Sequence, residues 1–177
     1  MKLNYKLFKK DFLEFQLYNS STSKNSQKTR RKSRLMIPII YIVLGTLLLI
    51  LGKITFGIGL LILAVLWYLF YPMYSEKKYK KHFEKHIDEN YSKTIDKEVE
   101  VSFKADLIEM KDQTSESKVK TSEIDKLIEL NDHFFLKLNS QHTLIIPKRA
   151  ISDNDKFKSM IKNYNIDYLN QLDWKWK

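Results

Sequence analysis

The chain has 177 residues, with 31 lysines and arginines against 21 aspartates and glutamates, for a formal net charge of +10. It has no cysteine, which excludes disulfides and thiolate metal or redox chemistry, and no glycine follows Gly59, which removes any later glycine-rich phosphate loop. An excess of positive charge suggests nucleic acid in a soluble protein, but much of it flanks an apolar block, where anionic lipid accounts for it more simply.

In chain order, Leu3, Tyr5 and Leu7 alternate with polar residues and predict a short strand. Phe8, Phe12 and Phe15, with Leu13 and Leu17 beside them, have the spacing of an amphipathic helix from about Lys9 to Tyr18. Residues 1–18 thus form an N-terminal strand and helix, and packing on a later domain is favoured over lying in the lipid interface. Residues 19–34 have no apolar side chain and read as a polar basic arm, either solvated or a polar extension of the helix that follows. Its end, Thr29-Arg30-Arg31-Lys32-Ser33-Arg34, abuts the apolar block and is a topology anchor rather than a nucleic-acid patch.

Residues 35–74 are almost uninterrupted apolar sequence, broken by charge only at Lys53. As one helix at ~1.5 Å per residue they would extend nearly twice the ~30 Å of a hydrocarbon core, so the block must fold back on itself. Gly52-Lys53-Ile54-Thr55 is the predicted tip, which gives two transmembrane helices over 35–52 and 54–74. At the tip Lys53 can snorkel to the far headgroups, whereas a mid-bilayer lysine costs roughly 3 kcal/mol. Gly45, Gly57, Gly59 and Ala64 are small enough to let the helices approach closely, and Trp67, Tyr68, Phe70, Tyr71 and Tyr74 suit a headgroup belt.

Cations crowd both outer ends of the block. Arg30, Arg31, Lys32 and Arg34 precede it, Lys77, Lys78, Lys80, Lys81 and Lys85 follow it, and only Lys53 lies between the helices. These nine flanking residues are the expected anionic-lipid and topology anchors, and their bias places both termini in the cytoplasm of a multi-pass cell-membrane protein. The first apolar run lies too far in and is too long for a cleavable signal, so the first helix is read as retained. Residues 75–92 continue as a juxtamembrane basic helix with Tyr79, Phe83 and Ile87 on one stripe. His82 and His86 are spaced like a metal pair, but no third ligand is identifiable and a solvated helix face is the better reading.

From Lys97 the period changes. Val99, Val101 and Phe103, then Ile108 and Met110, then Val119 and Thr121, alternate as short strands, with a polar turn at 112–117. Ser122 to Asp125 resembles a capping box with helical spacing at Ile124, Leu127 and Ile128, yet the surrounding meander argues for a strand over Lys126 to Leu130. Phe134, Leu136 and Leu138 form another strand, and Leu144-Ile145-Ile146 before Pro147 forms the last, with a hairpin at Asn139 to His142. Ser152 and Asp155 give a capping pattern for a final helix that buries Phe157, Met160, Ile161 and Tyr164. The tail, residues 165–177, ends Trp174-Lys175-Trp176-Lys177, which suits headgroup contact or a frayed end equally.

Tyr5-Lys6-Leu7, the run Phe12 to Tyr18, the two-helix block closing on Tyr71-Pro72, and Ile145-Ile146-Pro147-Lys148-Arg149-Ala150 before a final helix together resemble the YcxB-like family of bacterial membrane proteins, over nearly the whole chain. The resemblance implies that residues 95–164 are a small cytoplasmic domain similar to bacterial pleckstrin-homology (PH)-like domains, a strongly bent sheet capped by a helix. The fold class expected is therefore an α+β membrane protein: a two-helix transmembrane hairpin plus a small antiparallel β, PH-like domain with a C-terminal helix.

The expected function is a membrane-anchored binding or scaffold module holding a peptide, protein or lipid headgroup at the cytoplasmic face. The alternative, by family analogy alone, is an immunity or resistance role against membrane-active peptides. An enzyme is disfavoured: His133 near Asp132 and His142 near Ser140 are adjacent in sequence only, which builds no triad. A transporter is disfavoured because two helices without mid-bilayer charge offer no relay. No cofactor or metal is expected. The expected partners are the membrane, and a protein partner or second copy of the chain, with no nucleic acid.

Overall fold

The computed structural model describes residues 1–112 and 115–176, so the expected 112–117 turn and the last residue of the tail lie partly or wholly outside the described residues. Contacts divide the chain into two units, Met1–Phe15 with Glu84–Lys175, and Gln16–Phe83 with Trp176–Lys177.

The first unit is built on two four-stranded sheets. One takes its edge strand from the very start of the chain: β1 (Lys2–Lys6) pairs antiparallel with β2 (Glu98–Phe103), which leads to β3 (Leu107–Lys111) and β4 (Glu116–Lys120). The alternation of Leu3 and Tyr5 is what allows this, since both point into the core while Lys2, Asn4 and Lys6 face out. The outer edge at β4 is mostly exposed and bears Glu116, Lys118 and Lys120, charges that discourage pairing with another chain.

In the second sheet β5 (Ile124–Glu129), β6 (His133–Leu138) and β7 (Thr143–Pro147) form a meander. The helix-like spacing of Ile124 and Leu127 is explained by a bulge. The register slips between Ile124 and Lys126, so Ile124 meets Leu138 and Leu127 meets Leu136, and β5 begins two residues before the expected Lys126. A parallel strand, β8 (Asp167–Asn170), completes this sheet against β5, which corrects two expectations: the domain is not purely antiparallel, and the 165–177 segment is not only a tail.

Helix α4 (Asn154–Lys162) closes the core. Its Phe157 is fully buried and touches both sheets, with its ring 5.6 Å from Phe103 of β2 and 5.1 Å from Phe134 of β6. The cap is Asp153, whose carboxylate accepts from the N–H groups of Asp155 and Lys156 at 3.0 Å, and not Ser152 as the sequence pattern suggested. Asn165, at φ 55°, takes the left-handed conformation that lets the chain turn from α4 toward β8.

Helices make up most of the second unit. Helix α1 (Lys9–Thr22) is longer than predicted, and α2 (Lys24–Ile50) takes in the rest of the polar arm, so of its two readings the polar extension of the following helix is the one seen. Helix α3 runs unbroken from Ile54 to Asn90, making the expected juxtamembrane helix its last turns. Both α2 and α3 are long and apolar enough to cross a membrane. The reversal between them is a Schellman cap: Gly52 at φ 75° donates to Leu49 O at 3.1 Å, and Lys53 N–H reaches back to Leu48 O at 2.9 Å.

Close approach of α2 and α3 is concentrated at one glycine pair. A Cβ on Gly45 would stand 3.0 Å from Gly57 O, and one on Gly57 would stand 2.9 Å from Gly45 O and 2.6 Å from a Leu49 methyl. Gly59 has nothing within 4 Å of such an atom, so it takes no part in the contact. Gly57→Val should therefore lower the thermal unfolding midpoint of the detergent-solubilised full chain, by an overpacking penalty of about 1–3 kcal/mol. Gly59→Ala should leave the midpoint unchanged or raise it.

Candidate functional site

The flanking cations were expected to act alike, and the structure separates them. Arg31, Lys32, Lys77, Lys78, Lys80, Lys81 and Lys85 are exposed, whereas Arg34 is half-buried and Arg30 is buried. The reason in each case is a backbone carbonyl lacking its helical donor. Pro72 within α3 has no N–H to offer Tyr68 O one turn earlier. Arg34 Nε supplies that hydrogen bond at 3.2 Å, and its guanidinium lies 4.1 Å over the Tyr68 ring.

Arg30 serves the frayed end of α1. The last carbonyls of a helix have no partner within it. Arg30 donates from Nη1 to Ser20 O at 3.0 Å and from Nη2 to Ser21 O at 3.2 Å, while Gln27 Nε2 also reaches Ser21 O at 2.8 Å. One face of the guanidinium is covered by the Trp176 ring, 4.6 Å away, and Trp176 in turn packs 5.1 Å from Tyr79. Arg30 is thus a helix clamp as well as one of the cations flanking the apolar block, and Trp176 is packed rather than frayed.

Beside this clamp, α2 and α3 enclose a cleft of about 460 Å³ whose lining includes Arg30, Trp67, Tyr71, Ser75, Lys78 and His82. Among the described residues, two buried polar atoms of residues that line it, Trp67 Nε1 and Ser75 Oγ, have no hydrogen-bond partner, and Ser75 is only 3 % exposed. No carboxylate lines it. Neither Trp67 nor Ser75 stood out in the sequence as a ligand-facing residue. The only available signal was the aromatic enrichment ending at Tyr74.

The first unit carries a second charged cluster. Asp11 is fully buried on α1, and its carboxylate accepts from Arg149 Nη1 at 2.8 Å and Nη2 at 2.6 Å, and from Phe8 N–H at 2.6 Å. His133 Nε2 is 2.7 Å from the same carboxylate, while its Nδ1 is 3.0 Å from Glu14 Oε2. Burial opposes the charge on His133, but the two carboxylates outweigh it and raise its pKa to about 9. Burial likewise opposes ionisation of Asp11, and Arg149, His133 and the Phe8 N–H overcome that, holding it well below the ordinary aspartate range. Phe12 against Tyr91 at 4.9 Å and Phe15 against Phe135 at 5.4 Å complete the docking of this part of α1 on its own domain.

His86 Nδ1 is 3.0 Å from the Asn90 amide, the His82 ring lies tilted 5.4 Å from that of Phe83, and among the described residues no three His, Asp or Glu side chains gather in metal-binding geometry. A further ion cluster on buried Glu129, with Lys148 at 2.7 Å, Lys158 of α4 at 3.7 Å and the Tyr168 hydroxyl, ties β8 to β5 and α4.

These features define an α+β protein of two sheets and a closing helix, with a pair of long apolar helices set in the chain between β1 and β2. Residues 103–161 match the model of the YcxB-like protein family, so the stretch from the end of β2 to α4 is YcxB-like. The match is narrower than the resemblance read from sequence, since it omits β1, the apolar helices and β8. No curated protein and no solved structure matches the chain.

The charged cluster fixes a pH dependence. Protonated His133 stabilises the fold fully below its ordinary pKa of 6.5, and that stabilisation is lost as pH rises toward about 9. Ionised Asp11 stabilises above its ordinary 3.8 and loses that contribution on acidification. Denaturant unfolding of the full chain should show maximal stability between roughly pH 4 and 6.5, with an alkaline loss of about 3 kcal/mol from His133 at ~1.36 kcal/mol per unit. His133→Gln should flatten the alkaline limb, and Asp11→Ala, by taking a hydrogen-bonded carboxylate from buried His133, should cost about 1.5–3 kcal/mol.

Proposed function

We propose that this is a multi-pass cell-membrane protein with both termini in the cytoplasm, in which the α2–α3 hairpin anchors a PH-like binding module at the inner face. The observation that carries this reading is the exposure of the apolar helices. Within their most apolar windows only 11 % of α2 and 17 % of α3 is buried. A soluble protein does not leave so much contiguous apolar surface open to water. The apolar stretch is bounded by exposed lysines and arginines at one end and by Lys53 alone at the other, the asymmetry that orients a hairpin in a bilayer.

The PH-like reading is supported by the succession of two antiparallel meanders followed by a helix plugging the space between them, although β8 is an addition to that plan. The binding role is supported by a cleft of about 460 Å³ whose lining includes Arg30 and Lys78.

The absence of native cysteine gives a clean test. A single cysteine placed at Lys53 should react with a membrane-impermeant maleimide on intact cells, and one placed at Lys120 should react only after permeabilisation. Labelling at Lys120 from outside would reverse the topology. Recovery of the full chain in the vesicle-free aqueous fraction would end the membrane reading altogether.

A further inference from the structure

We infer that β8 is an exchangeable arm, and that two copies of the chain pair by each laying its Asp167–Asn170 strand along the β5 edge of the other. The inference stands apart from the membrane reading, which bears on it only by crowding copies into one surface. Three observations point the same way.

The first is how lightly β8 is held. It is a four-residue edge strand in which Asp167, Leu169 and Asn170 are exposed and only Tyr168 is half-buried. A strand that covers so little apolar surface opens at a small fraction of the cost of unfolding the sheet beneath it. The core residues of α4, Phe157 and Ile161, lie upstream of the arm and are fully buried without its help.

The second is what β8 covers. Its register on β5 is parallel, Lys126 to Asp167, Leu127 to Tyr168, Ile128 to Leu169 and Glu129 to Asn170, and Gln171 N–H adds a bond to Glu129 O at 2.8 Å. The Tyr168 hydroxyl donates to the Glu129 carboxylate, which is 4 % exposed, and Lys162 Nζ of α4 lies 5.4 Å from the centre of the Tyr168 ring. Lys148 holds Glu129 Oε1 at 2.7 Å, whereas Tyr168 serves Oε2. An opened arm therefore leaves bare β5 backbone groups and one oxygen of a buried carboxylate without its hydroxyl donor, and both call for a replacement. The sequence that fits them is Asp167-Tyr168-Leu169-Asn170, so a second copy is the partner whose complementarity the structure displays.

The third is the hinge. Helix α4 ends at Lys162 and β8 begins at Asp167, so the connection is short. Within it the N–H groups of Tyr164 and Asn165 fold back onto Ile161 O and Lys162 O, each at 3.0 Å, and Asn165 is left at φ 55°. That conformation is unfavourable for a residue with a Cβ, although asparagine tolerates it better than most. Short strained hinges invite exchange. The contacts of the arm, the Trp176 ring over Arg30 included, are the same on either copy, whereas the strained turn belongs to the single chain alone. In the exchanged pair Asn165 returns to extended backbone.

Single-cysteine variants of the cysteine-free full chain test the exchange. A chain with Lys126→Cys and a differently tagged chain with Asp167→Cys are co-expressed, extracted in mild detergent and oxidised. Residues 126 and 167 are register partners on β5 and β8, so a disulfide between the two chains requires the strand of one to lie on the other. The mixed dimer should exceed by about tenfold that formed when Asp167→Cys is paired with Lys118→Cys on the exposed strand β4. Asn165→Gly, which relieves the turn, should lower the mixed dimer about threefold, and Asn165→Val, which resists the left-handed conformation, should raise it by a similar factor. The double variant Lys126→Cys/Asp167→Cys should oxidise in part to a dimer. Oxidation of that variant wholly within one chain, with no mixed dimer above the Lys118→Cys control, keeps β8 on its own sheet and overturns the exchange. Mixed-dimer yields that respond to neither Asn165→Gly nor Asn165→Val overturn it as well, because the hinge would then have no part in the pairing.

Discussion

A carboxylate removed from water must be paired, and the pairing of Asp11 is the constraint on which the domain depends. Its two oxygens accept from Arg149, His133 and the Phe8 N–H, groups drawn from both ends of the chain. Breaking any one contact leaves a buried charge, so α1 is held on β6 and the segment after β7 more firmly than its aromatic contacts alone would hold it. The same region supplies β1, whose Tyr5 hydroxyl donates to Ile145 O at 2.9 Å and so joins one sheet to the other. The N-terminus is therefore structural, and a domain assembled only from residues 95–164 would lack an edge strand, a docked helix and the partner of its buried histidine.

The chain order that results is unusual in its economy. β1 and the first half of α1 precede the apolar helices and the rest of the domain follows them, so the hairpin is an insertion within one fold. An insertion leaves and re-enters its host, and here both connections are helical: α1 on the way out and α3 on the way back. Within the hairpin, prolines serve a second purpose. Pro72 interrupts the hydrogen-bond ladder of α3, and the carbonyl it releases is the one Arg34 occupies.

The cationic residues near the apolar block consequently divide into two kinds. The exposed lysines make no fixed contact with a carbonyl or ring and carry charge that salt can screen. Arg30 and Arg34 are held to specific carbonyls and rings, and of the two Arg30 lines the cleft. Arginine suits this task because its planar guanidinium can hydrogen-bond along its edge and stack on a ring through its face at once.

Periodicity and charge alone determined much of this protein. The apolar block, its reversal at Gly52, the strands with strict alternation and the amphipathic α4 are all local patterns with a period of two or 3.6, and they fold as those periods require. Other features were decided only by tertiary structure. The strand β8, Asp167-Tyr168-Leu169-Asn170, has little apolar alternation and owes its existence to a parallel partner already in place at β5. Asp153 displaced Ser152 as the helix cap because the cap is chosen by backbone geometry as well as residue type. The pairing of Asp11 with His133 across more than a hundred residues, and the meeting of Arg30, Trp67 and Ser75 at one cleft, leave no trace in any local window. Spacing along a chain reports which face a residue takes, but which residues meet there depends on how the elements are packed.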